Sequence, residues 1–358
     1  MLRRTTKRSR LADLAELVRA PAALTVPGDV LAGAVAAGNL RPTRVAGLAA
    51  SSIAIYWAGM ALNDWSDRDL DAVERPERPI PSGRVTPGTA LSLASSLTAA
   101  GLALSAFAGD RHTFRTSAVL AATAWTYDLK AKNTPLGPAV MAAARSLDVL
   151  VGAGNNRRAA LPAAAAIGTH ILATTYISQG EVHGSTPTSS RAALATTTAI
   201  TAATARPTSV RPSTGSASTR LSAGSASTRL SAGSASTRLS AGSASTRLSA
   251  GSASTRPGTG STRLGAGPAL RSAEPSTAGA LLAAVFAGLF ARSVGSAQLV
   301  AAGDPSAANL RKAVGAGIHG LVPLQAAWCA RGGKPLVGAG LMAALPMAKA
   351  LARKVSPT

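Results

Sequence analysis

The chain has 358 residues, 46% hydrophobic and 15% charged, with 37 Lys and Arg against 15 Asp and Glu and a formal net charge of +22. On a soluble protein that charge would suggest nucleic acid, but here the basic residues lie at the N-terminus, in short loops between apolar runs and in one low-complexity tract, so no nucleic-acid partner is expected. A single cysteine, Cys329, excludes an internal disulfide and a thiolate metal site, and His112, His170, His183 and His319 have no zinc-type spacing.

In chain order, residues 1–15 read as a basic cytoplasmic tail. Asp13, Glu16 and Arg19 interrupt the apolar run that a signal peptide would need, so an uncleaved helix is expected to follow. Apolar stretches of spanning or nearly spanning length then recur near 20–38, 44–62, 88–108, 114–128, 136–154, 159–177, 278–301, 309–330 and 335–352, with a weaker Thr- and Ala-rich candidate at 191–205. The fold class expected is all-α: a polytopic membrane protein of nine spans, or ten with the weak one. Small residues supply most of its apolar surface, which suits close helix packing in lipid. Arg3, Arg4, Lys7, Arg8 and Arg10 place the N-terminus in the cytoplasm of a cell whose plasma membrane holds the chain. Alternation of spans then brings 63–87, Lys130 with Lys132, and 178–190 back to that side. Arg157 and Arg158 fall on the other side, against the charge bias.

Residues 206–276 differ from the rest. The unit GSASTRLSA repeats in four tandem copies from Gly215 to Ala250. With only spaced Leu among its larger apolar residues it cannot bury a core, and a disordered basic insertion is expected. The domain reading is therefore a tail (1–15), the N-terminal part of a transmembrane domain (16–205), the repeat insertion (206–276) and the C-terminal helices of the same domain (277–358). The tract begins where a span should be continuing after Ala205, so an expansion or frameshift that damaged this span is one origin for it.

The strongest chemical signal is NDWSDRDLD, residues 63–71, directly after an apolar span. Asn63, Asp67 and Asp71 are spaced by four, so on a helix they share one face with Cβ atoms about 5–6 Å apart. Three such oxygen donors suit Mg²⁺, a hard cation that bridges to substrate phosphates. Asp64 and Asp69 add charge nearby. A solvated acidic helix end is the plainer alternative, though acids at a helix C-terminus oppose the macrodipole. The following ERPERPIPSGRVTP, residues 74–87, alternates Arg75, Arg78 and Arg84 with Pro and Gly. Arginine forks suit diphosphate oxygens, while an ordinary basic loop is the other reading. Lys130 and Lys132 either reach a diphosphate or snorkel at the interface. Within the fifth span, Arg145 and Asp148 are spaced by three; they either line a cavity or form a structural pair on one face.

These motifs resemble the UbiA superfamily of membrane prenyltransferases, the 4-hydroxybenzoate polyprenyltransferase-like enzymes. Asn63, Asp67 and Asp71 match its first aspartate-rich motif, N-x-x-x-D-x-x-x-D, after the second helix. RPIPSGR, from Arg78 to Arg84, is similar to the stretch that follows it there. YDLKAKNT, from Tyr127 to Thr134, resembles the family's tyrosine–lysine motif, with Lys132 one residue further from Tyr127 than usual. GPAVMAAARSLDVLVGAG, residues 137–154, is similar to its fifth helix.

The resemblance implies helices around a central cavity, with Mg²⁺ as cofactor and an isoprenyl diphosphate and a lipophilic, often aromatic, acceptor as substrates. It implies Asn63, Asp67 and Asp71 as metal ligands. Asp67, Asp71, Lys132 and Glu181 are the candidate catalytic residues, and Asn63, Arg78, Lys130, Arg145 and Asp148 the candidate substrate-binding ones. The departure is at the second motif. Where the family has D-x-x-x-D, this chain has SQGEVHG, residues 178–184, with Glu181 as its only acid and as a candidate ligand of a second metal. A UbiA-like protein that binds or moves an isoprenoid or lipid-linked metabolite without catalysis is the alternative.

Overall fold

The computed structural model describes residues 9–181, 184–206 and 277–355. The described residues belong to one compact unit. They form twelve α-helices and, among them, no strand: α1 (Arg10–Leu17), α2 (Pro27–Ala36), α3 (Pro42–Ser66), α4 (Arg68–Glu74), α5 (Pro87–Ala108), α6 (Arg111–Thr126), α7 (Gly137–Ala153), α8 (Arg157–Ser178), α9 (Pro187–Ala205), α10 (Thr277–Gly303), α11 (Ala307–Arg331) and α12 (Pro335–Val355). Proline punctuates the chain. Pro27, Pro42, Pro87, Pro187 and Pro335 each open a helix, where the missing N–H leaves no bond unmade.

Five helices (α3, α5, α8, α10 and α11) are by length and composition apolar enough to cross a bilayer. The others are shorter or more polar, so this criterion does not reach the nine spans expected. The first expected span, 20–38, is divided. Its first part is a 3₁₀ segment, Ala20–Thr25, and its second is α2. At 1.5 Å per residue the ten residues of α2 rise only about 15 Å, half a hydrocarbon core. Pro27 is the local cause of the break. The weak candidate at 191–205 is a complete 19-residue helix, α9. α9 is not among the five helices apolar enough to cross a bilayer. The disordered insertion expected at 206–276 lies outside the described residues except for Arg206, as do Arg3, Arg4, Lys7, Arg8 and His183.

α2 is enclosed by α3, α7, α8 and α11. Small residues permit this. A Cβ on Gly33 would lie 1.8 Å from the Val149 carbonyl oxygen, and one on Gly152 would lie 2.0 Å from that of Val30. The α2 and α7 backbones therefore touch at two points, and lipid-embedded helices gain their packing from such approaches. Gly152→Ala is expected to destabilise the protein by about 1–3 kcal/mol, because backbone cannot yield as a side-chain tip would. The thermal midpoint of the detergent-purified variant measures this, and an unchanged midpoint would refute the contact. α8 and α9 pack against α11 and α10, so the helices after the repeat tract join those before it in one bundle. Phe290, Ile167, Leu324 and Val149 lie at the centre of its largest apolar cluster.

Candidate active site

Asp67 ends α3 and precedes α4, and the backbone bonds Asp67 N to Asn63 O (3.0 Å) and Asp71 N to Asp67 O (2.8 Å) carry the helical register through the junction. Asn63, Asp67 and Asp71 thereby keep their spacing, but their side chains enter two different sets. In the first, the Lys132 ammonium collects three oxygens: Asp67 Oδ1 at 2.6 Å, Ser66 Oγ at 2.6 Å and Asn63 Oδ1 at 3.4 Å. Asn63 Nδ2 also donates to Asp67 Oδ2 at 3.2 Å. In the second set, Arg78 bridges Asp71 Oδ2 at 2.6 Å and Asp64 Oδ1 at 3.5 Å, and Arg19 donates to Asp64 Oδ1 at 2.9 Å. Asp64 and Asp71 are buried, so these cations offset a desolvation cost that unpaired carboxylates could not bear.

The delivery of Lys132 has a local cause. Tyr127–Ala131 forms a π-turn, closed by Lys132 N donating to Tyr127 O at 2.9 Å. A π-turn holds one residue more than an α-turn and is a frequent feature of functional sites. It absorbs the extra residue between Tyr127 and Lys132 and still brings the ammonium to Asp67. Ser66 Oγ also lies 3.3 Å from Asp128 O, joining the end of α3 to this turn.

Below the turn lies a narrow cavity of about 90 Å³, lined almost wholly by apolar surface. Tyr127, Asp128, Gly59 and Met60 border it on the side of the aspartates, and Ser52, Arg145 and Asp148 border its deep end. Arg145 pairs with Asp29 of α2, Nη2 to Oδ2 at 2.7 Å, rather than with Asp148 on its own helix. Asp148 accepts a short hydrogen bond from Ser52 Oγ. Gln325 donates to Asp29 Oδ1 at 2.7 Å and to Thr25 O at 2.8 Å. Four helices thus meet at one buried polar knot.

Other expected residues lie elsewhere. Lys130 is exposed. Arg84 is committed to Asp13 (2.6 Å) and Glu16 (2.9 and 3.0 Å), holding α1 to the loop. Those hydrogen bonds, Glu16's first, keep it more firmly protonated than a free arginine. Glu181 follows α8, where Arg311 Nη1 donates to its backbone oxygen at 2.8 Å. Burial raises its carboxyl pKa against the lowering influence of Arg311. No hydrogen bond or ion pair joins Glu181 to Asn63, Asp67 or Asp71 among the described residues. Arg19, Ser66, Asp29 and Asp128 were not foreseen as site residues.

Among the described residues no three Asp, Glu, His or Cys side chains gather where they would jointly hold a metal. The donor set around Lys132 nonetheless fits a hard cation. Its donors are all oxygens, one is an anionic carboxylate, and a positive charge already sits where they converge.

The profile of the UbiA prenyltransferase family matches residues 25–205, half of the chain. The chain belongs to the UbiA prenyltransferase family. Enzymes of this family generally use Mg²⁺. Apolar helices and family membership together make the chain an integral membrane protein. It is similar to digeranylgeranylglyceryl phosphate synthase of Natronomonas pharaonis, 38% identical over 96 residues, which are 26% of this chain and 35% of that one. The enzyme of the same name from Ignicoccus hospitalis is 44% identical over 86 residues, 24% of this chain and 28% of the other. Chloroplastic chlorophyll synthase of Oryza sativa subsp. japonica is 40% identical over 84 residues, 22% of each. The matched stretches thus span about a third or less of these relatives. A solved structure from work on digeranylgeranylglyceryl phosphate synthase in membranes shares the fold, with a TM-score of 0.55 at 13% identity, covering 91% of this chain and 99% of the other.

Proposed function

We propose that this UbiA-family protein is a Mg²⁺-dependent intramembrane prenyltransferase, transferring the prenyl group of an isoprenyl diphosphate to an aromatic or other lipophilic acceptor. The observation that carries this reading is the convergence of Asn63, Ser66 and Asp67 on the Lys132 ammonium, with Ser66 also bonded to the backbone of Asp128, a residue that borders an apolar cavity. A diphosphate headgroup needs cations, its prenyl chain needs an apolar recess, and the two lie side by side here.

Asn63 and Asp67 would hold Mg²⁺, with Asp71 and, from the other connection, Glu181 as further candidates. When bound, the ion would offset the negative charge that grows on the departing diphosphate. Lys132 and Arg78 bind diphosphate oxygens, exchanging part of their contact with Asp67 and Asp71 for the substrate. The bond between C1 of the prenyl chain and the bridging oxygen breaks, and diphosphate leaves with the electron pair. The acceptor's nucleophile bonds to C1 and gives up a proton. Met60, Gly59 and Tyr127 keep water from the allylic cation, as an apolar enclosure must. Arg145 and Asp148, held by Asp29 and Ser52, would border the prenyl chain at the deep end of the cavity. The basic N-terminal residues favour a cytoplasmic face for the aspartates in the plasma membrane.

A carrier without catalysis is the second reading. It is favoured by Glu181, the one acid of its loop and joined by no polar contact to Asp67 or Asp71. Equilibrium binding of a thio-bridged prenyl diphosphate analogue to detergent-purified protein tests the shared basis of both. Binding strengthened at least about tenfold by Mg²⁺ over EDTA supports a diphosphate site, since one charge-assisted contact is worth that much. Binding indifferent to Mg²⁺ would remove it.

A further inference from the structure

A second polar site lies at the opposite end of the bundle. Arg44 and Ser66 are 22 residues apart on α3, about 33 Å at 1.5 Å per residue. At the Arg44 end an open cleft of about 950 Å³ is formed by the α2–α3, α5–α6 and α7–α8 connections. Asn39, Arg41, Arg44, Asp110, Asn155 and Asn156 supply its polar wall.

The Arg44 side chain is only 11% exposed. Its Nη2 donates to Thr113 Oγ1 at 2.9 Å and stands 4.0 Å from Asp110 Oδ2. Its Nη1 is buried with no hydrogen-bond partner. An unpaired buried donor on a charged group is costly and calls for an acceptor. Asp110 does not supply one: its Oδ2 stands 4.0 Å from Nη2, beyond hydrogen-bond reach, and its Oδ1 caps α6 by accepting from Thr113 N at 2.8 Å and Thr113 Oγ1 at 3.1 Å. Gly154, at φ +64°, marks where the groups converge. A Cβ there would lie 2.4 Å from Arg44 Nη2, 3.3 Å from Asn39 Nδ2 and 3.3 Å from Asp110 Oδ2.

Two further features give the occupant a shape. Arg157 and Arg158 open α8 at this same end, and Arg111 opens α6. They put positive charge where the topology rule expects little. Phe107, 90% exposed, and Leu104 form the apolar side of the cleft. An anionic head beside an apolar body matches both.

We propose that this cleft binds the phosphate headgroup of an anionic membrane lipid, with Arg41 and Arg44 on the phosphate and Phe107 and Leu104 against the acyl chains. The bound lipid ties three inter-helix connections together, far from the chemistry at Asp67. Native mass spectrometry of the full chain in detergent, with phosphatidylglycerol, phosphatidylcholine or inorganic phosphate added, is the test. One retained phosphatidylglycerol is expected, in preference to phosphatidylcholine. Its apparent affinity is expected to fall about fivefold in Arg41→Gln, since a basic residue at the surface contributes about 1 kcal/mol. Arg44→Gln is expected to weaken it at least as much. Arg41 is exposed, so Arg41→Gln tests the site even if Arg44→Gln does not fold. Equal retention of both lipids, or phosphatidylglycerol retention unchanged by Arg41→Gln, would overturn the proposal. Displacement of the lipid by millimolar inorganic phosphate would overturn the role of the apolar side.

Discussion

Asp67→Asn is expected to lower prenyl-transfer turnover by at least about 100-fold, the scale on which removal of one preorganised charge-stabilising group acts. The substitution keeps the shape of the side chain and the backbone bond to Asn63. What it removes is the carboxylate that holds Lys132 at 2.6 Å and would hold Mg²⁺ beside it. Asp69→Asn is the control. Asp69 is 87% exposed and pairs with Arg68, so its loss is expected to change turnover less than about twofold. If the two variants lose activity equally, general negative charge around 63–71 matters and the geometry at Lys132 does not.

Arg145→Ala is expected to be the most destabilising single change in the bundle, at about 3–5 kcal/mol, because it leaves a buried charge unpaired. Asp29 is fully buried and Asp148 is 3% exposed, so neither carboxylate can recover its hydration. Replacing the pair together, as Asp29→Asn with Arg145→Met, is expected to cost less than Arg145→Ala alone, since one buried carboxylate, Asp148, is then left without its cation instead of two. Thermal midpoints of the two variants in one detergent make the comparison. A double variant less stable than the single one would mean that the knot acts through hydrogen bonding and shape rather than charge.

These two sites were not equally legible in the sequence. Asn63 and Asp67 were readable because a helix turns a spacing of four into a shared face, and because the acids directly follow an apolar run; Lys132 was readable only through the resemblance of YDLKAKNT to the family's tyrosine–lysine motif. Asp71 shows what spacing alone leaves out. It kept the spacing, but Arg78 pairs with it and takes it into a set with Asp64. Arg84 looked like a second diphosphate fork, yet its partners, Asp13 and Glu16, sit on α1 some 70 residues earlier. Only tertiary contact could disclose that. Arg19 read as a break in an apolar run. In the structure it adopts φ 48°, a left-handed turn at the start of the 3₁₀ segment, and its guanidinium reaches Asp64. Asp29 was hidden for a different reason. It lies in a stretch taken as one apolar span, and its partner Gln325 is 296 residues away. Local pattern carries no trace of such a pair. The division of the first span at Pro27 follows from proline's fixed geometry and was foreseeable, but mean hydropathy across 20–38 concealed it.

Diphosphate release from an allylic prenyl diphosphate by the detergent-purified protein, with Mg²⁺ and then with EDTA, tests the central claim most directly. Release that needs Mg²⁺, yields a prenylated acceptor and fails in Asp67→Asn is the result expected of a prenyltransferase built on Asn63, Asp67 and Lys132. Mg²⁺-dependent binding with no release over many hours, across a panel of chain lengths and acceptors, would contradict it and leave a carrier in its place.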